Sequence, residues 1–295
     1  MQTHVIYHKD CMDGLASAFI AYSCLLELDR TANFIPMHYN EVESIYDIPM
    51  AEDDELMILD FSLPNKMLME LSTKIANITI IDHHKTAIEQ LDNLPFISNL
   101  HSITNTSKSG AMLTYEFFAD MHVNPLNVEL FQYVQDRDLW TWQLPATREI
   151  SASLALNVEK NDIRSFAKFY WYFEGNKDKV IEEGTITLRA IDKQVQEKVD
   201  KCTTLKIEGV PFKVINATQN ISELGNAICN KFDMPACLYF ILPDSSVVLS
   251  FRSLEHLEDV SVIAKCLKGG GHRNSASAMT TLDNLTKILN GGSHI

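Results

Sequence analysis

Along the first hundred residues, short apolar runs alternate with stretches whose apolar positions recur every three or four residues. "HVIYH" at 4–8, "ELMILDF" at 55–61 and "ANITIID" at 76–82 read as buried strands, and "DGLASAFIAYSCLLEL" after the first reads as a helix. Runs this apolar, separated by helical periodicity, predict strand-helix-strand units and a parallel sheet covered on both faces. "SKSGAMLTYEFFADM" predicts a helix beginning near Ser109. "NVELFQYVQDRDLW" at 127–140 predicts another, with Leu130, Phe131 and Val134 on its apolar face and Asp136 near its end. From about 160 to 203, Lys, Glu, Asp and aromatics crowd together without a strand signal, which predicts helices joining two units. The pattern changes near Leu205: "TLKIEGVPFKVINA" predicts a hairpin, "ELGNAICNKF" a helix, and "ACLYFILPDSSVVLSFRS" two strands around a turn. The expected fold class is α/β in two domains: a parallel-sheet domain over 1–157, a helical connector over 158–204 and a smaller α/β domain over 205–295. The terminal "GGSHI" is assigned no role.

Composition narrows the partners. With 295 residues and 46% apolar content the chain can bury a large core, but its formal charge of −14 disfavours long duplex nucleic acid and anionic membrane. A polyanionic ligand therefore requires a local basic pocket, for which Lys9, Lys85, Lys108 and Arg137 are placed. The six cysteines show no CxxC pairing, the N-terminus lacks an export signal, and the longest apolar runs, such as "ACLYFIL" at 236–242, are too short to span a bilayer. Reduced thiols in a cytoplasmic protein are expected.

Each predicted strand of the first domain ends in potential metal ligands: Asp10 and Asp13 after the first, Asp60 in the second, and Asp82, His83 and His84 at the third. Open parallel sheets bind ligands beyond the carboxyl ends of their strands. Carboxylates buried together repel one another unless cations neutralise them, so this grouping implies metal. Oxygen and imidazole donors without thiolate clusters favour Mn²⁺, with Mg²⁺, Co²⁺ or Fe as competitors.

"HKDCMDGLASA", "ILDFS", "DHHK" and "QDRDLW", in this order, resemble the four motifs of the DHH phosphoesterase family, and "KGGGHRNSASA" resembles the glycine-rich signature of its associated DHHA1 domain. The resemblance runs from His8 to about Ala278. It implies a catalytic DHH domain, a substrate-gripping DHHA1 domain with the active site in the cleft between them, and a phosphohydrolase with two Mn²⁺ per chain, Mg²⁺ or Co²⁺ being alternatives. His8 and Asp60 would hold one metal, and Asp13, Asp60, His83 and Asp136 the other. Asp82 would orient a ligating imidazole, and His84 would face the scissile phosphate as proton donor or charge stabiliser, with a metal-bound hydroxide as nucleophile. On this reading Asp136→Asn costs activity more than stability.

The first motif departs from the family pattern, because Cys11 stands where many members have an aspartate. Asp10 as the replacement ligand, Cys11 as a thiolate ligand, an inert Cys11, and a weakened first metal in a protein that only binds are the alternatives, Asp10 being favoured. In the glycine-rich motif, Gly270 and Gly271 would let the backbone approach an anion, with the following small residues beginning a helix. His272, Arg273 and Asn274 resemble residues that grip a terminal phosphate or base, and Arg252 could form a bidentate phosphate contact. The implied substrate is a short linear or cyclic dinucleotide, with a 3′-phosphonucleotide phosphatase and a non-hydrolytic nucleotide sensor as alternatives, and a homodimer is compatible with the sequence. Tyr7, Trp140, Trp142, Trp171 and Tyr172 are assigned no role, since aromatics at helical spacing commonly pack in cores.

Overall fold

The computed structural model describes residues 1–123 and 125–292, so Ser293–Ile295 of the terminal "GGSHI" lie outside the described residues. The chain forms two compact units, the first Met1–Leu188 and the second from Arg189 onward.

The first unit is built on five parallel strands: β1 (Thr3–His8), β2 (Ala32–Met37), β3 (Glu55–Leu59), β4 (Asn77–Asp82) and β5 (Leu100–Thr104), in the order β2-β1-β3-β4-β5. Its helices are α1 (Met12–Glu27), α2 (Asn65–Leu71), α3 (Lys85–Leu91), α4 (Gly110–Asp120), α5 (Glu129–Asp138), α6 (Thr147–Asn157) and α7 (Ile163–Lys198). The last breaks at Asn176, whose φ of −143° leaves the helical range. The division between the units falls inside α7, at Leu188. Strands β1, β3 and β4 are covered on both faces. Ile6, Ile58 and Ile80 stand in register and pack on one side with Leu68 and Leu71 of α2. Val5, Tyr7, Leu59 and Ile81 face the other side with Phe19 and Ile20 of α1. Each such side chain contributes about 1.5–3 kcal/mol by leaving water.

The two strands that the periodicity did not predict are the edges. In β2, Pro36 sits opposite Tyr7, a position tolerable only where the missing N–H faces away from the sheet, and β5 carries the polar pair His101 and Ser102. Helix α1 starts immediately beyond β1, and Gly14 makes this possible: a Cβ there would lie 2.5 Å from the His8 carbonyl oxygen. The turn thereby brings the β1 end and the α1 start against each other.

The second unit is a six-stranded mixed sheet of β6 (Thr203–Ile207), β7 (Val210–Asn216), β8 (Ala236–Ile241), β9 (Val247–Arg252), β10 (Gly270–His272) and β11 (Ser275–Thr280). The order is β10-β11-β9-β8-β7-β6, with β7 and β8 parallel and the other neighbours antiparallel. Helices α8 (Ile221–Phe232), α9 (Val260–Cys266) and α10 (Leu282–Leu289) accompany it. The β6–β7 hairpin, α8 and the β8–β9 pair stand where periodicity places them.

The glycine-rich segment differs from expectation. It does not lead into a helix; it is the β10–β11 hairpin. Ala276 and Ala278 are buried while Ser277 and Met279 are exposed, the two-residue alternation of a half-buried strand. Gly271, at φ +133°, closes the approach, since a Cβ on it would sit 2.6 Å from the Ser275 carbonyl oxygen. No helix among the described residues is long and apolar enough to cross a membrane, and all six cysteines are free.

Candidate metal centre

The carboxyl ends of β1, β3 and β4 converge on one acidic and imidazole-rich group. Asp60, directly after β3, is fully buried and held at φ +52°, a left-handed conformation costing roughly 1–2 kcal/mol for a residue with a Cβ. Its Oδ1 lies 3.1 Å from His83 Nε2 and 3.8 Å from His84 Nδ1, and its Oδ2 lies 3.5 Å from His8 Nδ1. His83 Nε2 also faces Asp138 Oδ2 at 3.5 Å and Asp13 Oδ2 at 3.7 Å. Within the first unit's described residues two donor sets result, Asp13 with His83 and Asp138, and His8 with Asp60 and His84, each with its ligand atoms within 4.8 Å of one another.

The start of α4 supports the first set. Gly110 N–H donates to Asp13 Oδ2 at 2.6 Å and Ala111 N–H to Oδ1 at 3.0 Å, so two amides at a helix N-terminus fix the carboxylate. A Cβ on Gly110 would meet Asp60 Cβ at 2.7 Å and Asp13 Oδ2 at 3.0 Å, so only glycine fits there without displacing the two acids. Ser109, buried, caps the same helix by accepting from Met112 N–H.

Asp82 works behind the imidazoles. Its Oδ1 accepts from the backbone N–H groups of His83 at 2.7 Å and His84 at 3.1 Å, and faces His84 Nδ1 at 2.8 Å. The carboxylate therefore sets the turn that presents both rings and leaves Nε2 as the outward nitrogen of His84.

Burial and the neighbouring charges perturb Asp13, Asp60, Asp138, His83 and His84. Burial, then the Asp60 and Asp138 charges, raise the Asp13 carboxyl well above its ordinary value. Burial likewise raises Asp138, with Asp60 adding to the push and His83 opposing it. For Asp60 burial opposes ionisation, yet the His8, His83 and His84 imidazoles outweigh it and hold the group well below the usual range. Burial disfavours the His83 imidazolium, but Asp60, Asp138 and Asp13 push it up to about 10. His84 is raised against its burial chiefly by Asp82. Neither buried Asp60 oxygen receives a well-formed hydrogen bond. A buried carboxylate in that condition is costly, and a divalent cation among these oxygen and nitrogen donors removes both the cost and the repulsion. The donor set fits such an ion.

Of the residues picked from the sequence, the structure brings together His8, Asp13, Asp60, Asp82, His83 and His84. It does not bring in Asp10 or Asp136. Asp10, at φ +57°, points to His38 Nε2 at 3.1 Å and Asn161 Nδ2 at 2.9 Å. Asp136 is buried under the loop that follows α5. It accepts from Thr141 Oγ1 at 2.5 Å, Gln143 N–H at 2.7 Å, Leu144 N–H at 3.0 Å and Thr147 Oγ1 at 2.5 Å. Asp138, rather than Asp136, faces His83. Leu130, Phe131 and Val134 are buried in α5 together with Asp136, whereas Asp138, four residues after Val134, is the more exposed of the two acids, so periodicity does not choose between them. Cys11, N-cap of α1 without a capping bond, lies where the Asp60, Asp138 and Asp13 charges act on it. Burial first, then those charges, raise its thiol well above the ordinary value.

In the second unit the guanidinium of Arg273 is engaged by its own loop, donating from Nη2 to the carbonyls of Glu255 at 2.9 Å and Leu257 at 3.0 Å. Asn274 Nδ2 donates to Glu255 Oε2 at 3.1 Å. Arg252 donates to the Phe251 carbonyl at 2.8 Å and Ser222 Oγ at 3.0 Å. Gly270, Gly271 and His272 form β10.

An open parallel sheet with carboxylates and imidazoles gathered beyond the carboxyl ends of its strands has the donor chemistry of a divalent-cation site. Residues 2–135 match the DHH family, N-terminal domain. It is 30% identical over 290 residues to the uncharacterized protein R106 of Acanthamoeba polyphaga mimivirus, covering 92% of this chain and 66% of that protein. It is 21% identical over 302 residues to oligoribonuclease NrnB of Bacillus subtilis, covering 94% of this chain and 73% of that one. The chain thus spans about two thirds of the length of the first of these relatives. The pGpG-specific phosphodiesterase PggH of Vibrio cholerae shares the fold, with a TM-score of 0.50 at 13% identity over 98% of this chain and 97% of that one.

Proposed function

We propose that this chain is a divalent-metal phosphodiesterase of short nucleotides, linear or cyclic dinucleotides above all, acting in the cytoplasm with Mn²⁺ as the favoured ion. The observation that carries this is Asp60, buried and without a well-formed hydrogen bond, standing between the Asp13–His83–Asp138 set and the His8–His84 pair. Asp13, Asp60, His83 and Asp138 would hold one ion, and His8 and Asp60 a second. Bound cations would supply an acidified water and charge neutralisation for the phosphate. The side chains do the rest. The Asp82 carboxylate keeps a proton on His84 Nδ1 and raises the ring, so His84 Nε2–H is available to donate to the leaving oxygen or to a non-bridging oxygen of the phosphate. The α4 amides hold Asp13 against the pull of its neighbours. The substrate class rests on the likeness to an oligoribonuclease and on the −14 charge, which disfavours a long polyanion.

A second reading, a nucleotide sensor with one ion lost, is favoured by Asp10. Its bonds to His38 and Asn161 leave His8 with Asp60 as its nearest carboxylate, at 3.5 Å. Mn²⁺-dependent hydrolysis of a panel tests both: a 5′-phosphorylated dinucleotide, a cyclic dinucleotide, 3′-phosphoadenosine 5′-phosphate and a single-stranded 20-mer. Mononucleotides from the dinucleotides with little cut from the 20-mer are expected. Release of inorganic phosphate alone makes the protein a phosphomonoesterase, and nucleotide binding with one ion per chain and no turnover makes it a sensor.

A further inference from the structure

The loop after Asp138 combines left-handed backbone, paired indoles and a stacked cation. Trp140, Trp142 and Ala146 all adopt left-handed backbone, at φ of 59°, 53° and 64°. Such conformations cost L-residues free energy and persist where the surroundings over-determine them, a pattern that clusters at ligand sites. Here the surroundings are Asp136, whose four accepted bonds from residues 141, 143, 144 and 147 clamp the loop from beneath.

What the clamped loop presents is a pair of crossed indoles with a cation on them. Trp140 and Trp142 meet edge to face, their ring centroids 4.8 Å apart at 75°. The Arg137 guanidinium sits 4.2 Å from the Trp140 centroid and 5.5 Å from that of Trp142. Both indoles are half-buried, leaving ring surface open to solvent. Arg137 is the immediate neighbour of Asp138, whose Oδ2 lies 3.5 Å from His83 Nε2, and Trp140 follows two residues later, its Cα within about 7 Å of that of Asp138 by chain length alone.

From this juxtaposition we infer that Trp140 and Trp142 form a stacking platform for the nucleobase adjacent to the scissile phosphate, with Arg137 held against them to meet that nucleotide's phosphate. The inference rests on the hydrolytic reading for its substrate class. A nucleotide matches the surface in kind: a flat π-face for the indoles and an anion for the guanidinium, on a chain whose overall charge of −14 needs a local cation to receive it.

The chain has three tryptophans, and Trp171 is exposed at 63%, so in a Trp171→Phe background only the platform reports by fluorescence. A 5′-phosphorylated dinucleotide added with Ca²⁺, in place of a metal that supports turnover, quenches that emission, and its abasic counterpart quenches it much less. In Mn²⁺ turnover, Trp140→Leu raises KM for the dinucleotide by roughly 5- to 150-fold, the range for losing one base–aromatic stack, leaves kcat and the abasic substrate little changed, and is largely rescued by Trp140→Phe. Circular dichroism confirms that each variant is folded, and Trp142→Leu provides a second position. Quenching without turnover overturns the hydrolytic reading and keeps the platform. Turnover without quenching, or an equal loss on base-bearing and abasic substrates, overturns the platform.

Discussion

Replacing Asp136 by alanine while replacing Asp138 by asparagine separates two aspartates that lie two residues apart in one helix end. Asp136, 4% exposed, accepts four hydrogen bonds, two from backbone amides and two from threonine hydroxyls. Bonds to a charged acceptor contribute about 1.5–3 kcal/mol each, but the four are not additive, because donors freed at the loop surface regain water. Thr147, 2% exposed, does not. The strain at Trp140, Trp142 and Ala146 is also released with the clamp, which returns part of the loss. About two such bonds' worth remains, a net destabilisation of about 3–5 kcal/mol, or a fall in Tm of roughly 6–20 °C for a unit of this size.

Asp138→Asn behaves oppositely. It removes one of three neighbouring carboxylates, relieving repulsion, so Tm stays within about 2 °C of the parent or rises. Mn²⁺ affinity drops at least about tenfold, as for loss of a ligand or its support. Thermal unfolding by circular dichroism and titration calorimetry with Mn²⁺ read the two effects. An Asp136→Ala protein melting within about 2 °C of the parent, or an Asp138→Asn protein binding Mn²⁺ as tightly as the parent, refutes the assignment. The pH dependence supplies a further check. Burial opposes the Asp136 charge, but bonds from Thr141, Thr147, Gln143 and Leu144 outweigh it and lower the folded pKa. The stability this contributes is therefore fully present above the unfolded value of about 3.9 and is lost as pH falls through the lower folded value. The gap between parent and Asp136→Ala should hold from neutral pH to about 4 and close only below it.

Asp82→Asn weakens the hold on His84 Nδ1 and should lower kcat by about 10- to 100-fold with a downward-shifted basic limb in the pH–rate profile, because the proton donor is lost at lower pH; unchanged kcat and profile would remove His84 from the chemistry. Gly110→Ala forces a methyl against Asp60 Cβ and Asp13 Oδ2, so it should cost about 1–3 kcal/mol by denaturant unfolding and weaken metal binding, whereas an unperturbed variant would show that α4 yields easily. Removing metal with a chelator should lower Tm, by the equivalent of about 2.7 kcal/mol when the ion had been at a hundred times its Kd, with calorimetry detecting restoration on adding Mn²⁺.

What the sequence determined by itself is the part of this protein governed by local pattern. Three continuous apolar runs announced β1, β3 and β4 because strands buried on both faces have no polar face to interrupt them, and the ionisable residues at their ends had to meet where a parallel sheet presents its carboxyl edge. Edge strands escaped because Pro36, His101 and Ser102 are permitted where one side of the strand is unpaired. The second unit's hairpin escaped because glycines and small residues fit a helix start and a tight β-pair alike, until the alternating burial of Ala276 and Ala278 decided it.

The tertiary structure alone decided which of two aspartates faces the candidate metal site. Residues two apart on a helix point about 200° apart, so Asp138 reaches His83 while Asp136 turns beneath the following loop. It also decided that Asp10 is drawn to His38 and Asn161, that α4 brings its Gly110 and Ala111 amides to Asp13 from nearly a hundred residues away, and that two tryptophans stand crossed on the loop after α5. Each is a long-range approach of groups whose identity the chain states plainly but whose directions depend on how helices and loops pack on the sheet.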